Sequence, residues 1–186
     1  MSKKLPRFYA ITDRKRFNLD IEKQIEMMKT KGAGIVQLRE KDLNSYDLFN
    51  LARRFREITE KHNLMLTIND RLDIALLVKA DGVHLPEKSI PISAIKSEFP
   101  ELIVGKSCHS YECAINSEKD GADYIFFSPI FHVENKGKPV GIEGLKKVVN
   151  VINIPVYALG GITKDNIDKV LEAGAYGVAG IRLFNI

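Results

Sequence analysis

Features that would identify a secreted or membrane protein are scarce in this sequence. Cysteine occurs at only two positions, Cys108 and Cys113, among 186 residues. Two cysteines are too few for a disulfide framework, and no further residues complete a zinc-binding pattern around them. No apolar run is long enough to cross a bilayer, and the N-terminus shows no signal-peptide pattern. We therefore expect a cytoplasmic protein with no membrane interaction.

A strong excess of one charge is also missing. The 28 basic and 24 acidic residues give a net charge of +4, and they are mixed along the helical segments as on a solvated surface. Neither a helix-turn-helix pattern nor a basic recognition face is present, which argues against a nucleic-acid partner. The mild positive charge would favour phosphorylated ligands. Since 45% of the residues are hydrophobic, we expect residues 1–186 to form one domain around one core.

Short apolar segments alternate with helical patterns along the whole chain, and this alternation predicts the fold. Eight strands alternating with seven helices indicate a parallel sheet that closes into a (β/α)8 TIM barrel. A doubly wound open sheet is the alternative, but a Gly-Ala or Ala-Asp pair recurs before every second strand, which favours the closed barrel. The predicted strands are residues 7–12, 34–39, 64–69, 82–85, 103–108, 124–128, 155–160 and 177–182. The predicted helices are residues 20–31, 45–62, 71–79, 91–99, 110–120, 141–151 and 164–173.

No helix is predicted after the eighth strand. The barrel should therefore lack its final helix and leave an apolar groove beside the first and seventh helices. Because exposed apolar patches usually mark interfaces, we expect a homodimer that covers this groove.

Polar residues at the carboxyl ends of the strands should meet at one mouth, where TIM barrels bind their ligands. Gln37, Arg39 and Lys41 alternate along the end of the second strand and so point to one side. Arg39 and Lys41 are suited to an anion or a diphosphate. Lys136, in a glycine- and lysine-rich stretch, is either a group that closes over the ligand or part of a solvated charge run.

Two further strand ends carry candidate binding residues. Gly160 and Gly161 precede a helix and predict a phosphate site, the alternative being a tight turn. Asn69 and Asp70 end the third strand, where Asp70 either binds Mg²⁺ together with other oxygen ligands or caps the next helix.

Of the histidines, His109 is the candidate for proton transfer. It lies just past the fifth strand, beside Ser107, and an imidazole titrates near neutrality. His84 alternates inward at the end of the fourth strand and is expected to line the pocket.

Six short motifs occur in order along nearly the whole chain, and together they resemble the thiamine phosphate synthase superfamily. This superfamily of compact (β/α)8 barrels includes the synthase and its relative, the thiazole tautomerase (TenI type). The motifs are Tyr9-Ala10-Ile11-Thr12-Asp13, Val36-Gln37-Leu38-Arg39-Glu40-Lys41, Ile68-Asn69-Asp70-Arg71, Asp81-Gly82-Val83-His84-Leu85, Gly121-Ala122-Asp123-Tyr124 and Gly160-Gly161-Ile162.

The resemblance implies a role for most of the residues at the mouth. The synthase joins a pyrimidine methyl diphosphate to a thiazole phosphate, with Mg²⁺ on the diphosphate. Asp70 corresponds to one magnesium ligand. The thiazole phosphate site corresponds to Gly160, Gly161 and the backbone near Ile181 and Arg182. The diphosphate and pyrimidine contacts correspond to Gln37, Arg39, Lys41, Asn69, Ser107 and Lys136.

The segment after the fourth strand departs from the synthase pattern. Ser89 stands where synthases carry the second magnesium carboxylate, and Glu87 is the nearby alternative ligand. This loop and the segment around His109 look more like the tautomerase, an isomerase that needs no metal and in which His109 corresponds to the acid/base histidine. We therefore expect a tautomerase acting on a carboxythiazole phosphate. The alternatives are the Mg²⁺-dependent synthase, a transferase, and a non-catalytic ligand-binding or regulatory barrel.

Overall fold

The strands form a closed parallel barrel in chain order, as predicted. The computed structural model describes residues 4–17, 20–134 and 136–185. Each strand pairs with the next, and the last pairs with the first to close the barrel. The strands are β1 (Phe8–Ile11), β2 (Ile35–Leu38), β3 (Met65–Asn69), β4 (Gly82–Leu85), β5 (Ile103–Cys108), β6 (Tyr124–Phe127), β7 (Val156–Ala158) and β8 (Gly177–Gly180).

Alternate residues of each strand point into the barrel or out toward the helices. The interior cluster of buried side chains is Leu5, Tyr9, Ile11, Ile35, Tyr124, Phe126, Tyr157 and Ala179. The Tyr9 ring packs edge-on against Phe126, with 4.8 Å between the ring centroids. Val36 and Leu38 belong to the larger outer cluster beneath the helices. Because Ile35 points inward, Gln37 and Arg39 follow it on the same side, which directs them toward the mouth.

Helices follow the strands and cover the outside of the barrel. They are α1 (Ile21–Thr30), α2 (Ser45–Lys61), α3 (Leu72–Leu77), α4 (Ile92–Glu98), α5 (Tyr111–Lys119), α6 (Gly141–Val149), α7 (Ile167–Glu172) and α8 (Arg182–Asn185). Helix α7 begins later than predicted because the Asn166 side chain accepts a hydrogen bond from the Thr163 amide and forms a turn first.

The prediction that the final helix is absent is wrong, because one helical turn, α8, follows β8. Asn185 in this turn is buried and donates hydrogen bonds to the carbonyls of Ile11 and Ile181. It also accepts one from Gln24 of α1 at 2.8 Å. The buried Phe184 ring packs near Phe8, with 6.5 Å between centroids. These contacts fix the short helix against β1 and α1.

A groove remains between α1, α7 and this short helix. Its volume is about 360 Å³, and it is lined by Phe8, Thr30, Lys31, Lys164, Ile167, Leu183 and Phe184. The expected groove therefore exists, and its burial in a homodimer stays a prediction. Within the ranges that the structure describes, no helix has the length and apolar character to span a membrane.

Candidate active site

The end of β2 is tied to the end of β1 by a buried carboxylate that the sequence analysis did not single out. Thr12 donates a hydrogen bond from its hydroxyl to Glu40 Oε1 at 2.6 Å and accepts one from the Arg39 amide at 2.9 Å. The Arg14 amide also donates to Glu40, at 3.1 Å. Burial raises the pKa of Glu40, and the hydrogen bonds from Thr12 and Arg14 oppose this effect. Glu40 therefore fixes the backbone from which Arg39 reaches the mouth.

Three cations lie near this strand end. The sequence predicted Arg39 and Lys41 there and left Lys136 open between a group that closes over the ligand and a solvated charge. The pKa of Lys41 is lowered by burial first and then by the charges of Arg39 and Lys136, while Asp70 opposes the shift. The long β6–α6 loop therefore brings Lys136 near the end of β2. Among the described residues, none of the three cations forms an ion pair with a carboxylate. A cluster of cations without carboxylate partners makes a site that favours an anion.

Asp70 is oriented toward the mouth and does not cap a helix. Its backbone adopts φ 62°, a left-handed conformation that aspartate tolerates better than most residues. Its Oδ1 accepts a hydrogen bond from the Ser89 hydroxyl at 3.3 Å. No side-chain cap hydrogen bond is found at the start of α3. A groove of about 250 Å³ runs between the ends of β2 and β3 and is lined by Leu38, Glu40, Lys41, Leu43, Leu48, Asn69, Asp70 and Arg71.

Glu87 contacts a different part of the structure. Its carboxylate lies against the Cys113 thiol and acts to raise the pKa of that thiol. The hydrogen bond between Cys113 and Cys108 has the larger effect and lowers this pKa. Asp70 is instead joined to Ser89. Among the described residues, the group of acidic and imidazole side chains close enough to hold a metal is Glu22, Glu26 and His62. None of these three lies at a strand end. At the mouth, Asp70 and the Ser89 hydroxyl offer Mg²⁺ two oxygen ligands that are hydrogen-bonded to each other.

A chain of buried hydroxyl and imidazole groups runs from the barrel interior to the mouth. Tyr9 hydrogen-bonds to Tyr124 at 2.7 Å, Tyr124 to His84 Nδ1 at 3.1 Å, and His84 Nε2 to Ser107 at 2.9 Å. Burial, with a smaller contribution from Arg39, lowers the pKa of His84 to about 3. The imidazole is therefore neutral, with one nitrogen donating and the other accepting. His84 points into the barrel interior, as its alternation along the strand predicted, and it fixes Ser107.

Gln37 is buried in the same interior, at 1% exposure, and its Nε2 has no hydrogen-bond acceptor among the described residues. The amide does lie near the Tyr9 hydroxyl. Burial raises the pKa of Tyr9 to about 12, while its hydrogen bonds with Thr67 and Tyr124 and the nearby Gln37 amide oppose the shift. A buried donor without an acceptor is costly, so this amide is a natural contact for a ligand acceptor atom.

His109 is exposed at the end of β5 and is held by the loop after β6. Its Nδ1 lies 2.7 Å from the Ser128 carbonyl oxygen. Because a carbonyl can only accept, Nδ1 carries the proton in the neutral ring, and Nε2 is left as a free base. The Ser128 hydroxyl lies 3.3 Å from the same nitrogen. This arrangement suits the predicted acid/base role.

The predicted phosphate site lies at the neighbouring ends of β7 and β8. Gly160 and Gly161 adopt φ values of 95° and 69°. A Cβ atom would lie 2.8 Å from Pro129 at Gly160 and 2.7 Å from Phe131 at Gly161, so both positions need glycine for packing as well. Their amides donate to no acceptor among the described residues. Ile181 and Arg182 follow β8, which pairs with β7, so the four residues border one side of the mouth.

We compared the chain with known proteins. The sequence profile of a family described as thiamine monophosphate synthase matches residues 8–184. The chain belongs to the thiamine monophosphate synthase family. Membership makes it an enzyme of thiamine biosynthesis.

Two relatives and a solved structure from the family show how much of the chain is shared. An Aquifex aeolicus protein named "Putative thiamine-phosphate synthase 2" is 50% identical over 182 residues, covering 97% of this chain and 98% of its own length. The thiamine-phosphate synthase of Caldanaerobacter subterraneus is 41% identical over 178 residues, covering 93% and 83%. The structure of the thiamine phosphate pyrophosphorylase from Pyrococcus furiosus superposes with a TM-score of 0.86 at 38% identity, covering 94% of this chain and 85% of that one. The names in the family favour the synthase alternative over the tautomerase that the sequence analysis placed first.

Proposed function

We propose that this protein is a Mg²⁺-dependent thiamine-phosphate synthase, which joins a pyrimidine methyl diphosphate to a thiazole phosphate and releases diphosphate. The observation that carries the proposal is the group of cations Arg39, Lys41 and Lys136 around Asp70 at the end of β2 and β3. A diphosphate leaving group requires several cations around its oxygens. A proton shift within a monophosphate does not, so the synthase explains this cluster better.

The reaction breaks the bond between the pyrimidine methylene carbon and the diphosphate oxygen, and the thiazole nitrogen forms the new bond to that carbon. The diphosphate leaves with the electron pair, so negative charge grows on its oxygens in the transition state. Arg39, Lys41 and Lys136 are placed to stabilise this charge. The lowered pKa of Lys41, caused by burial and by its cationic neighbours, would rise again when the diphosphate binds.

The residues at the mouth fit Mg²⁺ only together with a diphosphate. Mg²⁺ needs a near-octahedral shell of oxygens and is commonly held by one or two carboxylates with substrate phosphates. Asp70 supplies a carboxylate and Ser89 a hydroxyl, 3.3 Å apart, and serine hydroxyls bind Mg²⁺ in phosphate-binding loops. When bound, the ion would neutralise charge on the diphosphate.

The remaining residues divide between the two organic substrates. The unpaired amide of Gln37 and the hydroxyl of Ser107, fixed by His84, face the mouth from the interior and suit the ring nitrogens of a pyrimidine. The free amides of Gly160 and Gly161 suit the phosphate of the thiazole, since paired backbone donors with positive φ form an anion-binding concavity.

Replacing Lys41 tests the diphosphate assignment. Lys41→Met should lower kcat/KM for condensation by roughly a hundredfold, because it removes one preorganised cation from the leaving group. Lys147→Met, a change at an exposed position of α6, is the matched control and should behave like the parent. Equal rates for the two variants would show that the diphosphate does not bind at this cation cluster.

The tautomerase remains a second candidate because of two specific observations. Ser89 replaces an expected carboxylate, and His109 presents a free Nε2 while Nδ1 is held by the Ser128 carbonyl. Such an imidazole could remove a proton from a thiazole ring and return it at another position. If the protein is a tautomerase, His109→Gln should lose on the order of a hundred- to ten-thousandfold in isomerisation of a carboxythiazole phosphate. If it is a synthase, the variant should retain condensation with Mg²⁺.

A further inference from the structure

Two free thiols lie unusually close together beside the mouth. Cys108 is the last residue of β5, and Cys113 lies in the first turn of α5. Their Sγ atoms are 2.9 Å apart. Cys108 is buried and Cys113 is half-buried, so only the second thiol is open to small solutes. The pair has no part in the reaction described above.

The surroundings of the pair shift the pKa values of its two thiols in opposite directions. The hydrogen bond between the two thiols lowers the pKa of Cys113, against opposing effects of burial and Glu87. The same hydrogen bond, together with burial, raises the pKa of Cys108. Cys113 also lies at the positive end of α5, which favours a thiolate. Ser117 completes the cluster, with its hydroxyl oxygen 3.2 Å from Cys108 Sγ.

We propose that Cys108 and Cys113 form a peroxide-reactive dithiol, which closes to a reversible disulfide and displaces the segment from Ser107 to His109. The proposal goes beyond the proposed synthase function and does not depend on it. A nucleophilic thiol that is partly exposed, with a resolving thiol in contact, is the arrangement that redox-sensitive cysteines require.

The chemistry balances with hydrogen peroxide as the oxidant. The Cys113 thiolate attacks one peroxide oxygen, an S–O bond forms, the O–O bond breaks, and the departing hydroxide takes up a proton to become water. The Cys108 sulfur then attacks the Cys113 sulfenic sulfur, the S–S bond forms, and the S–O bond breaks. The hydroxyl leaves as water with the Cys108 proton. Two thiols are oxidised, and one peroxide is reduced to two waters.

Closing the disulfide draws the end of β5 and the first turn of α5 together, and we expect the neighbouring residues to shift with them. The sulfur atoms would approach from 2.9 Å to about 2.05 Å. The neighbours of Cys108 in the chain are Ser107, which binds His84, and His109, which binds the Ser128 carbonyl. A displacement of about 1 Å at a catalytic site can reduce turnover by as much as a hundredfold. We therefore expect oxidation to alter the hydrogen bonds of both imidazoles.

Mass spectrometry and NMR of the peroxide-treated protein test the proposal without an activity assay. Oxidation should lower the intact mass by about 2 Da and protect both cysteines from alkylation, and dithiothreitol should reverse both effects. The chain has four histidines, which makes the imidazole NMR signals a direct readout. Those of His84 and His109 should shift on oxidation, while those of His62 and His132 serve as internal references.

Cys113→Ser is the matched control, since the position is half-buried and serine preserves the shape of the side chain. Treated with peroxide, this variant should show neither the mass loss nor the histidine shifts. The proposal would be overturned if the parent kept both thiols, formed only disulfide-linked dimers, or gained about 32 Da as a sulfinic acid. A disulfide that left the His84 and His109 signals unchanged would refute the coupling to the mouth.

Discussion

Acid should destabilise this protein through one buried imidazole. His84 is fully enclosed between Tyr124, Phe126 and Ser107, with 4.0 Å between the centroids of its ring and the Phe126 ring. Burial lowers its pKa from 6.5 to about 3. Between these two values the unfolded chain binds a proton at His84 and the folded protein does not. Stability must therefore fall as the pH falls through this window, and it is fully present above about pH 7.

The size of the effect follows from the two pKa values. Going from about pH 7.5 to about pH 5, the unfolded state is stabilised by protonation of the free imidazole, which lowers the free energy of unfolding by about 2 kcal/mol. Other groups titrate as well. Glu40, whose pKa burial raises, changes stability in the opposite direction. The contribution of His84 is therefore obtained by subtracting the acid-induced loss of stability of a His84 variant from that of the parent protein.

Urea unfolding of the parent and of His84→Gln at both pH values measures this difference. The glutamine variant is expected to be less stable at neutral pH, because it keeps the hydrogen bonds to Tyr124 and Ser107 only in part. Its loss on acidification should be smaller than that of the parent by about 2 kcal/mol. Lys147→Met, at an exposed position of α6, is the control and should retain the parent's pH dependence. If His84→Gln lost as much stability in acid as the parent, the imidazole would not be buried as a neutral base.

Two further predictions concern magnesium and assembly. Calorimetry should detect only weak Mg²⁺ binding to the free protein and tighter binding with pyrophosphate, and Ser89→Asp should improve the affinity of the free protein by roughly tenfold, because it adds a carboxylate beside Asp70. Tight binding to the unmodified free protein would contradict the view that the diphosphate must complete the metal shell. Light scattering at micromolar concentration should show a homodimer that covers the groove between α1, α7 and α8, and a monomer would refute this interface.

The barrel was predictable because its signals are local. Period-two alternation and the glycines that end helices are visible in short windows, so the order of strands and the residues at their carboxyl ends followed from the sequence. The final turn α8 was missed because it contains only four residues and is held by distant partners. Asn185 of this turn binds Gln24 and the Ile11 carbonyl, which no local pattern reveals.

The sequence predicted which residues lie at the candidate site better than it predicted which of them contact one another. The cations at the end of β2 and His109 as a candidate base were predicted from their positions at strand ends. Glu40 was not, because its burial depends on Thr12 from another strand. The uncertainty over Glu87 could be resolved only in three dimensions, where its neighbour is Cys113 and the neighbour of Asp70 is Ser89. Contacts between strand ends depend on barrel closure, and a linear sequence does not contain them directly.

One assay tests the synthase proposal most directly. The purified protein is supplied with pyrimidine methyl diphosphate, thiazole phosphate and Mg²⁺, and separately with carboxythiazole phosphate alone, and the products are separated by chromatography. The proposal predicts thiamine phosphate and diphosphate in the first reaction, with formation abolished by a chelator. Isomerisation of the carboxythiazole phosphate without any condensation would contradict it and establish the tautomerase.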